Sequence, residues 1–185
     1  MDKAERDQIQ KLLTQSREFL CQTAAGLTAE QRAFKPAADR WSIADCIEHA
    51  IVVESMVLQN VMKKLEAPPS AEKPDTHGKD ELILEQVPKR TTRIQGPPAL
   101  MPAGRWPDCG EAIREFEATR TRTLEFATTT QADLRAYSFP HPVLGPLDCY
   151  QWLLAIATHC QRHVHQMEEI KADAAFPSSA GSAQA

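Results

Sequence analysis

Apolar residues recur along this chain at helical rather than alternating spacing. From Asp2 to about Ala25, the residues Ile9, Leu12, Leu13, Phe19 and Leu20 predict a long amphipathic first helix that Gly26 closes. A short helical turn is expected at Thr28 to Phe34, before Lys35-Pro36, where the residue preceding proline is pushed away from helical geometry. A second long helix opens at Trp41-Ser42, with Ser42 as N-cap and Asp45 at the capping-box position. Its inner stripe reads Ile43, Cys46, Ile47, Ala50, Val53, Val57, Leu58, Val61 and Leu65, and it runs to Glu66, where Pro68-Pro69 stops it. The third helix spans roughly Gly110 to Thr128, with Ile113, Phe116, Leu124 and Ala127 buried and the intervening Arg and Glu facing water. The fourth starts near Asp148 and runs to about Ala172, with Cys149, Trp152, Leu153, Ile156, Cys160, Met167 and Ile170 inside.

Between these helices the pattern changes. Residues Ala67 to about Asp108 form a connection rich in proline and charge, with one short helical piece at Lys79 to Gln86. Connections of this length are uncommon in compact domains unless they carry function or cross from one end of a bundle to the other. Tyr137 to Pro146 holds three prolines and one glycine in ten residues and is expected as a short extended turn. The predicted architecture is all-α, a four-helix bundle over residues 1–173, followed by a disordered tail at 174–185.

Composition changes this picture little. The 42% apolar and 25% charged content suit a soluble globular protein. A net charge of -4 gives no excess of Lys and Arg to neutralise phosphates or dock on anionic lipid, which argues against nucleic acid and membrane as partners. The first ten residues are too charged for a secretory signal, and no apolar run reaches membrane-spanning length. Five dispersed cysteines without a C-x-x-C pair fit a reducing cytoplasm better than a disulfide framework.

The candidate chemistry lies in the histidines. His159 and His163 are four residues apart on a helix, so their rings project from one face and can share an ion. His165 falls about 200° around the helix from His163 and is expected at the surface. A third ligand must come from another helix, and His49, well inside the second helix beside Cys46, Ala50 and Val53, is the candidate. A rise of about 1.5 Å per residue puts His49 roughly 25 Å from the end of the second helix and the pair roughly 17 to 23 Å from the start of the fourth. These levels match best if the two helices run antiparallel, with the long connection crossing the bundle so that the second and third helices are parallel; a parallel pairing stays open, since helix ends read from sequence shift by about 2 to 4 residues. For the histidines, two alternatives stay open: a pair of hydrogen-bonded core histidines, and a closed site in which Cys46 joins the three histidines. His77 and His141 fall in loops, and His141 would approach the ion only if its loop folds over the bundle end.

The segments Trp41-Ser42-Ile43-Ala44-Asp45-Cys46-Ile47-Glu48-His49 and His159-Cys160-Gln161-Arg162-His163-Val164-His165-Gln166 resemble the DinB-like (DinB/YfiT) superfamily. That resemblance implies an up-down-down-up four-helix bundle, with a divalent metal held by His49, His159 and His163. It also implies either a low-molecular-weight thiol S-transferase or related thiol-dependent enzyme, or a metal-dependent hydrolase; a metal-stabilised binding or stress-response module stays open beside them. Imidazoles suit several metals, and zinc or nickel is expected, with a small-molecule substrate and, as an open expectation, a homodimer. Gln166 or Asp45 is a candidate for orienting a ring or substrate, although capping explains Asp45 and a surface or interhelical contact explains Gln166. Trp41 reads as a staple for the start of the second helix, Trp152 as core and Trp106 as a loop anchor or pocket wall. Substrate-determining residues are expected in the 67–108 connection.

Overall fold

The computed structural model describes residues 1–69, 76, 78–91 and 96–178. Six helices are present among them: α1 (Lys3–Ala24), α2 (Ala29–Ala33), α3 (Ile43–Leu65), α4 (Lys79–Gln86), α5 (Cys109–Thr129) and α6 (Cys149–Lys171). Four of these, α1, α3, α5 and α6, are the predicted long helices. Side-chain caps begin them. Asp2, Ser42 and Asp148 each close a capping box, and Asp108 accepts from Glu111 N at the start of α5. The expected turn at Tyr137 to Pro146 is a β-hairpin, with β1 (Ser138–His141) antiparallel to β2 (Gly145–Asp148). Gly145 takes the left-handed φ of 69° that begins its second strand.

Contacts at the helix ends set the direction of each helix. Near their N-termini, Tyr150 Oη of α6 donates to Gln8 of α1 at 2.8 Å. Near their C-termini, Lys171 Nζ reaches Thr23 O at 3.5 Å, so α1 and α6 are parallel. The Arg6 guanidinium of α1 donates to Ala127 O, Thr128 O and Thr130 O, covering carbonyls that the last turn of α5 leaves without helical partners. Thus α5 runs antiparallel to α1. Ile43 and Ile47, early in α3, share a core with Val164 and Met167, late in α6, and with Ala112 and Phe116, early in α5. Helix α3 is therefore antiparallel to α6 and parallel to α5, an up-down-down-up bundle whose α3-to-α5 connection crosses its length.

Two apolar cores fill the bundle. One gathers Leu13, Val57, Val61, Leu153 and Ile156; the other gathers Leu20, Ile47, Phe116, Cys160 and Met167. A polar layer lies between them. Arg120 of α5, fully buried, grips Glu54 of α3 with two hydrogen bonds of 2.8 Å and donates to Leu13 O and Ser16 Oγ of α1 at 2.6 Å. The Cys160 thiol of α6 donates to Ser16 O at 3.5 Å, so all four long helices meet here. The expectation that the arginines of this helix face water is corrected at Arg120: its stripe position, four residues after Phe116, brings it inside, where Glu54 neutralises it.

Part of the stretch expected as a disordered tail, residues 174–178, is described. Phe176 meets the Phe34 ring edge-on at 5.6 Å, and Gln31 Nε2 donates to Pro177 O at 2.8 Å, which holds this stretch on α2. Residues 179–185 lie outside the described ones, as does His77. No helix among the described residues is long and apolar enough to cross a membrane.

Candidate metal centre

His49 leaves α3 in its second turn, and His159 and His163 leave the middle of α6. Because α3 and α6 are antiparallel, the three rings meet. One ligand nitrogen from each lies within 4.8 Å of the others, and no other His, Cys, Asp or Glu among the described residues joins them. His49 and His163 are buried, and His159 is partly exposed. His163 Nε2 and His159 Nε2 are 3.2 Å apart. Two imidazole nitrogens each about 2.0–2.1 Å from one ion, at angles of about 90° to 110°, would be roughly 2.8–3.4 Å apart.

The outer nitrogens settle the tautomers. His49 Nδ1 is 2.7 Å from Leu100 O, and a carbonyl only accepts, so Nδ1 carries the proton and Nε2 is left with its lone pair. At His163, Nδ1 is 3.1 Å from Gln166 Oε1, which also accepts from Arg90 Nη1 at 3.0 Å. Arginine has no acceptor, so the Gln166 atom between them must be oxygen, and His163 Nδ1 must be the donor. Two Nε2 lone pairs thus face the cluster. His159 then donates from Nε2 to His163 when the rings stand alone.

Burial is the first cause that lowers the pKa of all three rings. Mutual repulsion adds to it, with His49 acting on His159, and both His159 and His49 acting on His163. Neutral imidazole is the form that binds a metal. The donor set fits a divalent ion: three neutral rings, two of them with tautomers fixed for ligation.

Other sequence candidates divide. Cys46 is fully buried and lies outside the cluster, so the closed Cys-plus-three-His arrangement does not form. His141 also stands outside the cluster. Its Nδ1 accepts from Val143 N and Leu144 N at 3.1 and 3.0 Å, and its ring rests 5.0 Å from Trp152. Asp45 caps α3 and pairs with Lys35 at 2.8 Å. His165 is exposed, 3.2 Å from Pro88 O. Trp152 is core, stacked on Phe139, and Trp106 is partly buried against the core around Ile47. Trp41 does more than staple a helix: it stacks on His163 at 5.7 Å and lies 4.8 Å from His49, walling the centre.

Sequence reasoning missed Glu48, Arg90 and Leu100. Glu48 is buried beside His49 and accepts from Ala103 N, Gly104 N and Arg105 N at 2.7, 2.9 and 3.2 Å. The left-handed φ of 72° at Gly104 turns the loop so that these amides converge. An open groove lined by Pro88, Arg90, His165 and Glu169 lies on another face of α6 and is not the histidine centre.

Fold and site together define a class of protein: up-down-down-up four-helix bundles with an inward-facing histidine triad between the antiparallel second and fourth long helices. The chain belongs to the DinB superfamily, whose sequence model matches residues 12–167. It is 29% identical over 147 residues to the uncharacterized protein YuaE of Bacillus subtilis, covering 79% of this chain and 86% of YuaE. Its fold is similar to that of YfiT from Bacillus subtilis, described as a probable metal-dependent hydrolase with an unusual four-helix bundle topology. That match has a TM-score of 0.59 at 14% identity and covers 92% of this chain and 88% of YfiT.

Proposed function

We propose that His49, His159 and His163 hold one divalent metal, zinc or nickel, and that the protein is a metal-dependent enzyme whose nucleophile comes from outside the chain. The convergence of three neutral imidazoles on one point, one of them partly exposed, carries this reading. A bound divalent ion supplies Lewis-acid chemistry there, favouring ionisation of a water or thiol near neutral pH. The chain's own residues orient the ligands and exclude water on the Trp41 side. None of its cysteines is a ready nucleophile: Cys46, Cys109, Cys149 and Cys160 are buried, and burial raises the thiol pKa at all five. Glu48 spends both oxygens on the loop and is not free to act as a base.

A low-molecular-weight thiol is the first reading for that nucleophile, because three neutral ligands leave the ion's full charge to stabilise a thiolate. Water, and hence hydrolysis, is the second, favoured by the description of the similarly folded YfiT. The test is turnover by zinc- and nickel-loaded protein with small thiols plus electrophiles, and separately with esters and amides. Thiol consumption that stops on chelation and returns with metal supports transfer. Metal-dependent hydrolysis without thiol supports the second reading. Metal binding with no turnover in either panel would contradict an enzymatic role and leave a metal-stabilised module.

A further inference from the structure

The segment connecting α3 to α5 meets the histidine centre at two separate points, and each contact ends on the outer nitrogen of a different ring. On one arm, the short 3-10 helix Pro98–Leu100 places the Leu100 carbonyl on His49 Nδ1 at 2.7 Å. The loop that follows this carbonyl is anchored on Glu48, one residue before His49. Its carboxylate sits in a nest of three consecutive amides, from Ala103 to Arg105, and pairs with Arg105 Nη1 at 2.5 Å. Arg105 closes the loop on itself, donating to Met101 O at 3.0 Å and Ala99 O at 3.2 Å.

On the other arm, residues 88–90 lie along α6. Pro88 O meets His165 at 3.2 Å, Lys89 O accepts from Arg162, and Arg90 Nε pairs with Glu169 at 2.8 Å. Arg90 Nη1 then holds Gln166 Oε1 at 3.0 Å, the atom that accepts from His163 Nδ1. A buried carboxylate on one arm thus reaches a ligand ring through the loop that carries Leu100, and a guanidinium on the other reaches one through Gln166.

We propose that Glu48 and Arg90 are positioning residues for the histidine centre: acting through Leu100 and Gln166, they fix His49 and His163 in the Nδ1–H tautomer. The proposal rests on the metal reading for its purpose, but its mechanism does not require a metal. Outer hydrogen bonds of this kind set ring orientation and ligand basicity, and their loss weakens metal binding by about 10- to 100-fold. Glu48→Gln replaces an oxygen that meets a backbone amide with an amide nitrogen, so the Leu100 loop loses its anchor. Arg90→Met frees Gln166 to rotate its amide and present nitrogen to His163.

The experiment reads ring tautomers directly, by long-range proton–nitrogen NMR on metal-free protein labelled at histidine nitrogen. In wild type, His49 and His163 are expected as Nδ1–H. In Glu48→Gln, His49 shifts toward a mixture while His163 stays; in Arg90→Met the pattern reverses, and Arg90→Lys, which keeps a cationic donor, recovers part of the wild-type signal. Arg105→Met, at a half-exposed side chain, is the milder variant of the first arm should Glu48→Gln fail to fold. Zinc affinity by competition with a chromophoric chelator should fall about 10- to 100-fold in each variant. Unchanged tautomers in folded variants of both arms would overturn the proposal, even if wild type binds zinc. Tautomers that respond in a wild type that binds no zinc would sustain the positioning and sink the metal reading instead.

Discussion

Glu48 and His49 are consecutive residues with separate tasks, because neighbours on a helix point about 100° apart. One turns to the loop at Ala103 to Arg105; the other joins the centre. The centre's rings have lowered pKa values, first through burial, and this sets a pH dependence for metal-free protein. An unfolded histidine titrates near 6.5, whereas the native rings stay neutral below that, so the unfolded chain binds more protons as pH falls. Stability from this source is complete above pH 6.5 and is lost as pH falls toward the native values. Urea midpoints should therefore decline from pH 7.5 to pH 5.5, and His163→Gln should flatten the decline. An equal slope in the variant would contradict the assignment. At this scale the His159–His163 pair was legible from helical spacing, and His49 from helix levels and resemblance. Leu100 was not, because it acts through a backbone carbonyl that carries no side-chain signature. Arg90 was hidden among the charges of the connection.

At the scale of elements, the polar layer tests how the helices find their register. Arg120 and Glu54 were both on the buried stripes, Arg120 four residues after Phe116 and Glu54 four after Ala50, so the phase of each was visible. Charge concealed it, since an arginine or glutamate in a helix is usually solvated unless a partner neutralises it. Removing one partner leaves the other charge buried: Arg120→Met or Glu54→Leu should each cost about 3–5 kcal/mol in denaturant unfolding. The double variant should recover most of that loss, because the interior then holds no unpaired charge. Additive losses in the double variant would show that the pair is not the stabilising unit. Helix starts were the clearest feature, as Ser42 and Asp45 announce the box that opens α3.

For the whole molecule, the antiparallel pairing of α3 with α6 makes the centre, since it brings the second turn of α3 level with the middle of α6. Matching the levels of His49 and the His159–His163 pair implied this order, and the long α3-to-α5 connection is what permits it. The connection's own path was not readable, because beyond the short α4, which buries Ile83, it is held by point contacts such as Glu48 with three amides rather than by a periodic apolar face. The central claim, that this bundle is built around a single metal ion, is tested most directly by metal analysis of full-length protein purified without an affinity tag. Wild type and Cys46→Ser should each carry about one equivalent of a divalent transition metal per chain, and His163→Ala should carry almost none. Wild-type protein that holds no metal, and that neither binds nor is thermally stabilised by added zinc or nickel, would contradict it.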